Sequence, residues 1–234
     1  MMDITVHFAP NTCARVPMIA LEEIGTPYKT ELVAFVRGDH VSPRYLALNP
    51  KGKVPVLIVD GRPLTENVAI LTWLADQFPE ARLLPRHPNS FDSARVLADL
   101  AFCATTLHGL VTRLRIPQFF CDMPDAIPRV FEMAEQAMRP NFALIEARLA
   151  ESLWWYGNQW SIVDAYINWI WFRVAGTDFD ISSYPHFTRH DERHGERPAV
   201  QRALSRHVEA AEWLAEQGLE VKFGGKGAIK ATAA

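Results

Sequence analysis

Cys13 is the residue in this chain best placed to do chemistry. It follows the alternating stretch Ile4-Thr5-Val6-His7-Phe8 and the turn Pro10-Asn11-Thr12, and it stands where a helical pattern begins. Free backbone N–H groups and the positive end of a helix dipole favour an anion there, which lowers a thiol's pKa or steadies a thiolate brought in by a ligand. An isolated cysteine is equally a candidate for a packed, inert one, and position alone leaves both readings open. Val16 occupies the place where a Cys-x-x-Cys motif would need its second thiol, so a dithiol centre is excluded and monothiol chemistry is not.

Two further sites concern backbone recognition. Asn49-Pro50-Lys51-Gly52-Lys53-Val54-Pro55 sets a proline directly ahead of a strand. A cis Val54–Pro55 bond would turn the Val54 amide and carbonyl outward to pair with an extended peptide, whereas a trans bond would simply start an edge strand. Thr65-Glu66-Asn67 heads the next helical stretch. A carboxylate and free amides there could hold the amine and carboxylate of a small peptide, or the segment is a plain N-cap.

The elements that must position these residues are legible in the hydrophobic pattern. Val16, Ile19, Ala20, Leu21 and Ile24 recur at helical spacing and Gly25 closes that helix. Tyr28–Phe35 and Val54–Val59 read as strands, Asp60-Gly61 as a two-residue hairpin turn, and Arg62–Leu64 as a fourth strand. A helix with Ile70, Leu71, Trp73 and Leu74 follows and ends before Pro79. This order describes a small α/β domain over residues 1–82. A proline-rich connector at 83–90 is the expected boundary. Helical stretches Phe91–Leu114, Ile127–Glu151, Ile162–Val174 and Pro198–Gln217 then predict an all-α bundle over 91–223, with a frayed tail at 224–234.

Composition narrows the function classes. The 234 residues are 49% hydrophobic and 22% charged, enough apolar material for a core. The formal net charge of −3 argues against a nucleic-acid partner, which would demand a basic excess. Three widely spaced cysteines, Cys13, Cys103 and Cys121, supply neither a disulfide framework nor a four-ligand zinc site, and suit a reducing cytoplasm. No basic segment precedes the first apolar stretch and no uninterrupted apolar run approaches the roughly 18 residues of a spanning helix, so neither a leader nor a membrane association is expected. His190 and His194 stand four apart among interleaved charges and read as a solvated helix face, so no metal site is expected.

Taken in order, the strand-turn-helix cysteine, Val54-Pro55, Glu66 and the segment Trp160-Ser161-Ile162-Val163-Asp164-Ala165-Tyr166 resemble the cytosolic glutathione S-transferases, most nearly the bacterial beta class. The last segment resembles that family's buried capping box, with Ser161 at the cap and Asp164 three residues on. Tyr184-Pro185-His186 and Arg197-Pro198-Ala199-Val200 resemble its later punctuation. The resemblance covers nearly the whole chain. It implies a thioredoxin-like domain followed by a helical domain, a homodimer, and glutathione as co-substrate.

The resemblance also implies site roles. Val54, ahead of Pro55, would pair its backbone with the cysteinyl part of glutathione. Glu66 and the Asn67 amide would hold the γ-glutamyl end, although the family usually has Ser at the Asn67 position. Arg37 or Lys53 would meet the glycine carboxylate, with Arg37 the better match to a basic residue in related bacterial enzymes. Cys13 would contact the glutathione sulfur, supported by Thr12 and Asn11, or Asn11 would do so itself, since Pro10-Asn11 resembles the disulfide-reductase Nu class; His108 would approach the sulfur from the helical domain. Gly109 stands where beta enzymes commonly carry Lys. Phe8, Val16, Leu107, Val111, Arg113, Tyr166 and Trp169 would wall the second-substrate pocket, each also readable as core. The implied reaction is attack of the glutathione thiolate on a small electrophile or a disulfide. The alternatives are a glutathione-dependent ether-cleaving or isomerising enzyme, and a non-catalytic adaptor of the same fold.

Overall fold

The computed structural model describes residues 2–219, so the tail expected at 224–234 lies outside the described residues. The described residues divide into two compact units, one holding 2–86 together with 195–219, the other holding His87–His194.

The first unit is built on a four-stranded sheet: β1 (Ile4–Phe8), β2 (Lys29–Leu32), β3 (Val56–Val59) and β4 (Arg62–Thr65). The strand order is β2-β1-β3-β4, with β1 parallel to β2 and antiparallel to β3. This is the thioredoxin-like arrangement that the element order predicts. The Asp60-Gly61 turn joins β3 to β4 with both residues at positive φ, 47° and 78°, as a tight hairpin requires. Helix α1 (Arg15–Ile24) buries Val16, Met18, Ile19, Ala20 and Leu21 and ends at Gly25, whose φ of 73° lets its N–H reach the Leu21 carbonyl. Short α2 (Pro43–Leu46) adds Tyr45 to a cluster with Val33 and Val56. Helix α3 (Asn67–Gln77) packs against α1.

The second unit contains α4 (Ser90–Ala101), α5 (His108–Arg115), α6 (Ile127–Glu151), α7 (Ile162–Ala175) and α8 (Pro185–Gly195). Between α4 and α5 the chain runs through a π-helical segment, Phe102–Leu107, rather than the single α-helix that periodicity suggests. The run Ser90–Arg115 is long and apolar enough to cross a membrane by length and composition alone. Its buried Val96, Leu100, Cys103, Leu107, Val111 and Leu114 form one face, and its segments pack against α6 and α7, as in an amphipathic helix of this unit. Helix α7 is apolar nearly all round and is the centre of this unit, with Ile162, Val163, Ala165, Tyr166, Ile167, Trp169 and Ile170 buried.

Asp164 organises the start of α7. Its carboxylate accepts the Ser161 N–H and hydroxyl (both 2.8 Å), the Trp155 N–H (2.7 Å) and contacts His190 Nε2 (3.0 Å), all without solvent exposure. The capping-box reading of this segment therefore holds, and the Trp154-Trp155-Tyr156 cluster is anchored to it.

Two features depart from the sequence reading. The face bearing His190 and His194 is not solvated. Both rings are fully buried and stacked 6.1 Å apart in α8, His190 against Asp164 and His194 accepting the Trp160 indole N–H at 3.2 Å. The flanking charges of α8 are read correctly as exposed, but the i,i+4 histidine pair faces inward. Helix α9 (Pro198–Glu216) belongs with the first unit rather than with 91–223, because it packs along α1. Three guanidiniums fasten it there: Arg197 to Glu23, and Arg202 and Arg206 to Glu22. Burial raises the Glu22 carboxyl, but Arg202, the Tyr28 hydroxyl and Arg206 outweigh it and hold the group below the usual range.

Candidate glutathione site

The turn ahead of α1 is built by its own side chains. Thr12 Oγ donates to the Ala9 carbonyl (2.7 Å), which also accepts the Thr12 N–H (3.4 Å). The Thr12 hydroxyl hydrogen is thus committed to the turn, where sequence reading expects a donor to sulfur. Asn11 adopts φ 61°, a left-handed conformation that asparagine tolerates better than most residues, and its N–H points at Nδ1 of His207 (3.2 Å). Cys13 is buried just ahead of α1, and its thiol donates to the Val54 carbonyl at 3.7 Å.

Two other loops converge on it. The Val54–Pro55 bond is cis. Lys53, the residue before, is fixed through its carbonyl, which accepts the Tyr45 hydroxyl (2.8 Å) and the Asn49 side-chain amide (2.7 Å). Asn67, at the first position of α3, is buried and donates its side-chain N–H to the Cys13 carbonyl (3.1 Å). Glu66 sits at φ 72° and ψ 122°, a strained backbone for a residue with a side chain, and presents an exposed carboxylate to Lys51 Nζ. Asn11, Thr12, Cys13, Val54, Pro55, Glu66 and Asn67 are therefore gathered at one end of the sheet. Lys53 is exposed, while Arg37 makes a two-pronged ion pair with Asp39 that holds the Asp39 carboxyl low. Chemically, this end of the sheet offers a thiol, an edge of backbone polar groups, a helix N-terminus and an acidic side chain.

In the helical unit, His108 begins α5 with Nδ1 3.3 Å from the Tyr166 hydroxyl and its ring edge-on to Trp169 at 4.5 Å. Of the expected pocket residues, Phe8, Val16, Leu107, Val111, Tyr166 and Trp169 are buried. Arg113 is exposed, bonded to the Gly109 carbonyl and lying 4.6 Å over Phe120. Cys103 is fully buried, and burial pushes its thiol up, with Asp99 and Asp164 adding to the effect, which leaves it inert near neutrality.

A family model described as the N-terminal domain of glutathione S-transferase matches residues 12–77. Glutathione S-transferase GstA of Escherichia coli O157:H7 is 31% identical over 207 residues, covering 86% of this chain and 96% of that enzyme. This chain belongs to the glutathione S-transferase family. A maleylacetoacetate isomerase of Pseudomonas aeruginosa is 30% identical over 153 residues, 64% of this chain and 70% of that protein. A sphingomonad glutathione S-transferase solved in complex with glutathione matches with a TM-score of 0.75 at 30% identity, covering 87% of this chain and 98% of that one.

As a glutathione S-transferase, the chain also gathers at this end of the sheet residues that its sequence did not single out. Lys51 contacts both Glu66 and Thr65 Oγ (2.9 Å), and Asn49 fixes the Lys53 carbonyl while accepting the Lys51 N–H. Asn49-Pro50, an Asx turn ahead of the Val-Pro segment, is the signal that could have drawn attention to both. His207 lies 194 residues from Cys13 and nothing local marks it.

Proposed function

We propose that this protein is a cytoplasmic, homodimeric glutathione transferase whose sulfur site is Cys13, with Asn11 and Thr12 shaping the turn that presents it. The observation that carries the reading is the coupling of three elements: the Cys13 thiol rests on the Val54 carbonyl while Asn67 ties the head of α3 to the Cys13 carbonyl. A peptide laid along Val54 would take over that carbonyl with its own N–H and bring a thiol beside Cys13. Val54 and Pro55 form the edge for the cysteinyl residue. Glu66, now paired with Lys51, receives the γ-glutamyl ammonium, with Asn67 and the α3 N-terminus for the carboxylate. Lys53 is the better placed candidate for the glycine carboxylate, because the Arg37 guanidinium is occupied by Asp39. Within the helical unit, Tyr166 and Trp169 orient the His108 ring.

The helix-end field and hydrogen-bond donors favour the glutathione thiolate, whose proton leaves to solvent. The sulfur forms a bond to an electrophilic carbon and the leaving group departs with the electron pair. With a disulfide, the S–S bond breaks instead and the second thiolate leaves. A second copy of the chain would cover exposed apolar side chains such as Phe91 and Leu97. An isomerising reading, in which glutathione is added and then released, is favoured by the isomerase among the relatives.

The test is calorimetric binding of glutathione, followed by turnover with a generic aromatic electrophile, a glutathione disulfide substrate and a maleyl substrate. Binding with turnover is expected, and Cys13→Ala should no longer form a mixed disulfide with glutathione detectable by mass spectrometry. No heat of binding, or binding without turnover of any of the three, overturns the reading in favour of an adaptor. Mixed-disulfide formation undiminished in Cys13→Ala removes Cys13 from the role.

A further inference from the structure

His207 lies on α9, on the face that also buries Val200, Ala203 and Leu214. Its ring is edge-on to Phe8 at 5.1 Å, at the end of β1 from which the 9–13 turn departs. Nδ1 accepts the Asn11 N–H, so the ring proton must sit on Nε2. That Nε2 is buried with no hydrogen-bond partner among the described residues. Burying an unpaired N–H is costly, and a leucine or phenylalanine would fill the slot beside Phe8 without that cost. The imidazole is therefore useful there through Nδ1 alone. Burial, reinforced by the nearby Arg15 guanidinium, pushes the ring's pKa down to about 3, so Nδ1 remains an acceptor throughout the neutral range. Arg15 is the charged group that faces it from α1.

The Asn11 N–H needs such a partner because of its backbone. At φ 61° the residue turns its amide away from the 9–13 turn, whose internal bonds converge on the Ala9 carbonyl. The left-handed turn is held on one side by Ala9 and on the other by α9, and Cys13 follows two residues later. We propose that His207 is a positioning residue for the sulfur site, its Nδ1 fixing the Asn11 turn and thereby the placement of Cys13. This inference rests on the reading of residues 11–13 as the place where the glutathione sulfur is bound.

The experiment measures glutathione thiolate formation on the enzyme by ultraviolet difference absorbance across pH, with the kcat–pH profile alongside. In His207→Leu, the pH of half-formation should rise by about half a unit and kcat at neutral pH should fall about fivefold, the scale of one lost hydrogen bond. KM for the electrophile should stay unchanged. His207→Asn, whose side-chain oxygen falls near the position of Nδ1, should restore both. His207→Gln, whose oxygen falls near that of Nε2, should not. In the wild-type protein, 15N spectra of histidine-labelled material should show a bare Nδ1 and a protonated Nε2, a readout available even if His207→Leu fails to fold. A His207→Leu profile identical to wild type, equal profiles for the Asn and Gln variants, or a protonated Nδ1 overturns the inference alone. Absence of any thiolate on the wild-type enzyme overturns the underlying reading of the sulfur site as well.

Discussion

At the scale of single residues, His207 makes this protein's acid sensitivity partly a one-group property. Its folded pKa of about 3 lies below the ordinary value of 6.5. Between those values the unfolded chain binds a proton that the folded chain refuses. The neutral ring therefore costs nothing above about pH 6.5 and lowers stability progressively as the pH falls toward 3, by up to about 1.4 kcal/mol per pH unit. Denaturant unfolding of His207→Leu across pH 7 to 3.5 should give a shallower loss than wild type, whatever the two stabilities are at pH 7. Equal slopes would show that the ring is protonated in the native state.

At the scale of elements, the capping box of α7 is where one substitution should do most damage. Asp164→Ala would strip the Trp155 N–H, the Ser161 N–H and hydroxyl and the His190 ring of a shared acceptor in a site without solvent. We expect a loss of about 3–5 kcal/mol in a urea melt, against about 1 kcal/mol for Ser161→Ala, which leaves the carboxylate its other donors. The same elements show what a sequence discloses. Helix α6 has the bounds that periodicity gives it, because an amphipathic stripe is a local property. The π-helical widening at Phe102–Leu107 left no trace in the pattern, since one wide turn displaces the apolar stripe by less than a periodicity reading resolves. The burial of His190 and His194 is hidden in the sequence because α8 is polar in composition, and the Asp164 and Trp160 partners that help make it tolerable are supplied from elsewhere. The strand-turn-helix position of Cys13 was readable from short-range signals, whereas its His207 brace was not, because tertiary hydrogen bonds have no sequence period.

At the scale of the whole molecule, the two compact units are not two consecutive stretches of chain. The unit carrying the sulfur site is completed by α9, fastened to α1 through Glu22 and Glu23. Truncation at Arg86 should therefore yield a fragment that is aggregated or only partly folded by size exclusion and circular dichroism. Joining residues 196–219 to that fragment through a flexible linker should recover a cooperative melt. A well-folded 1–86 fragment would show that α9 is dispensable to that unit.

The same placement sets a timetable during synthesis. The buried surface of α1 leaves the ribosome early, but α9, which packs along it, begins more than 170 residues later. At roughly 5–20 residues per second, that surface waits for the order of ten seconds before its cover arrives. Until α9 emerges, the flank of α1 that it packs along stays uncovered in the nascent chain.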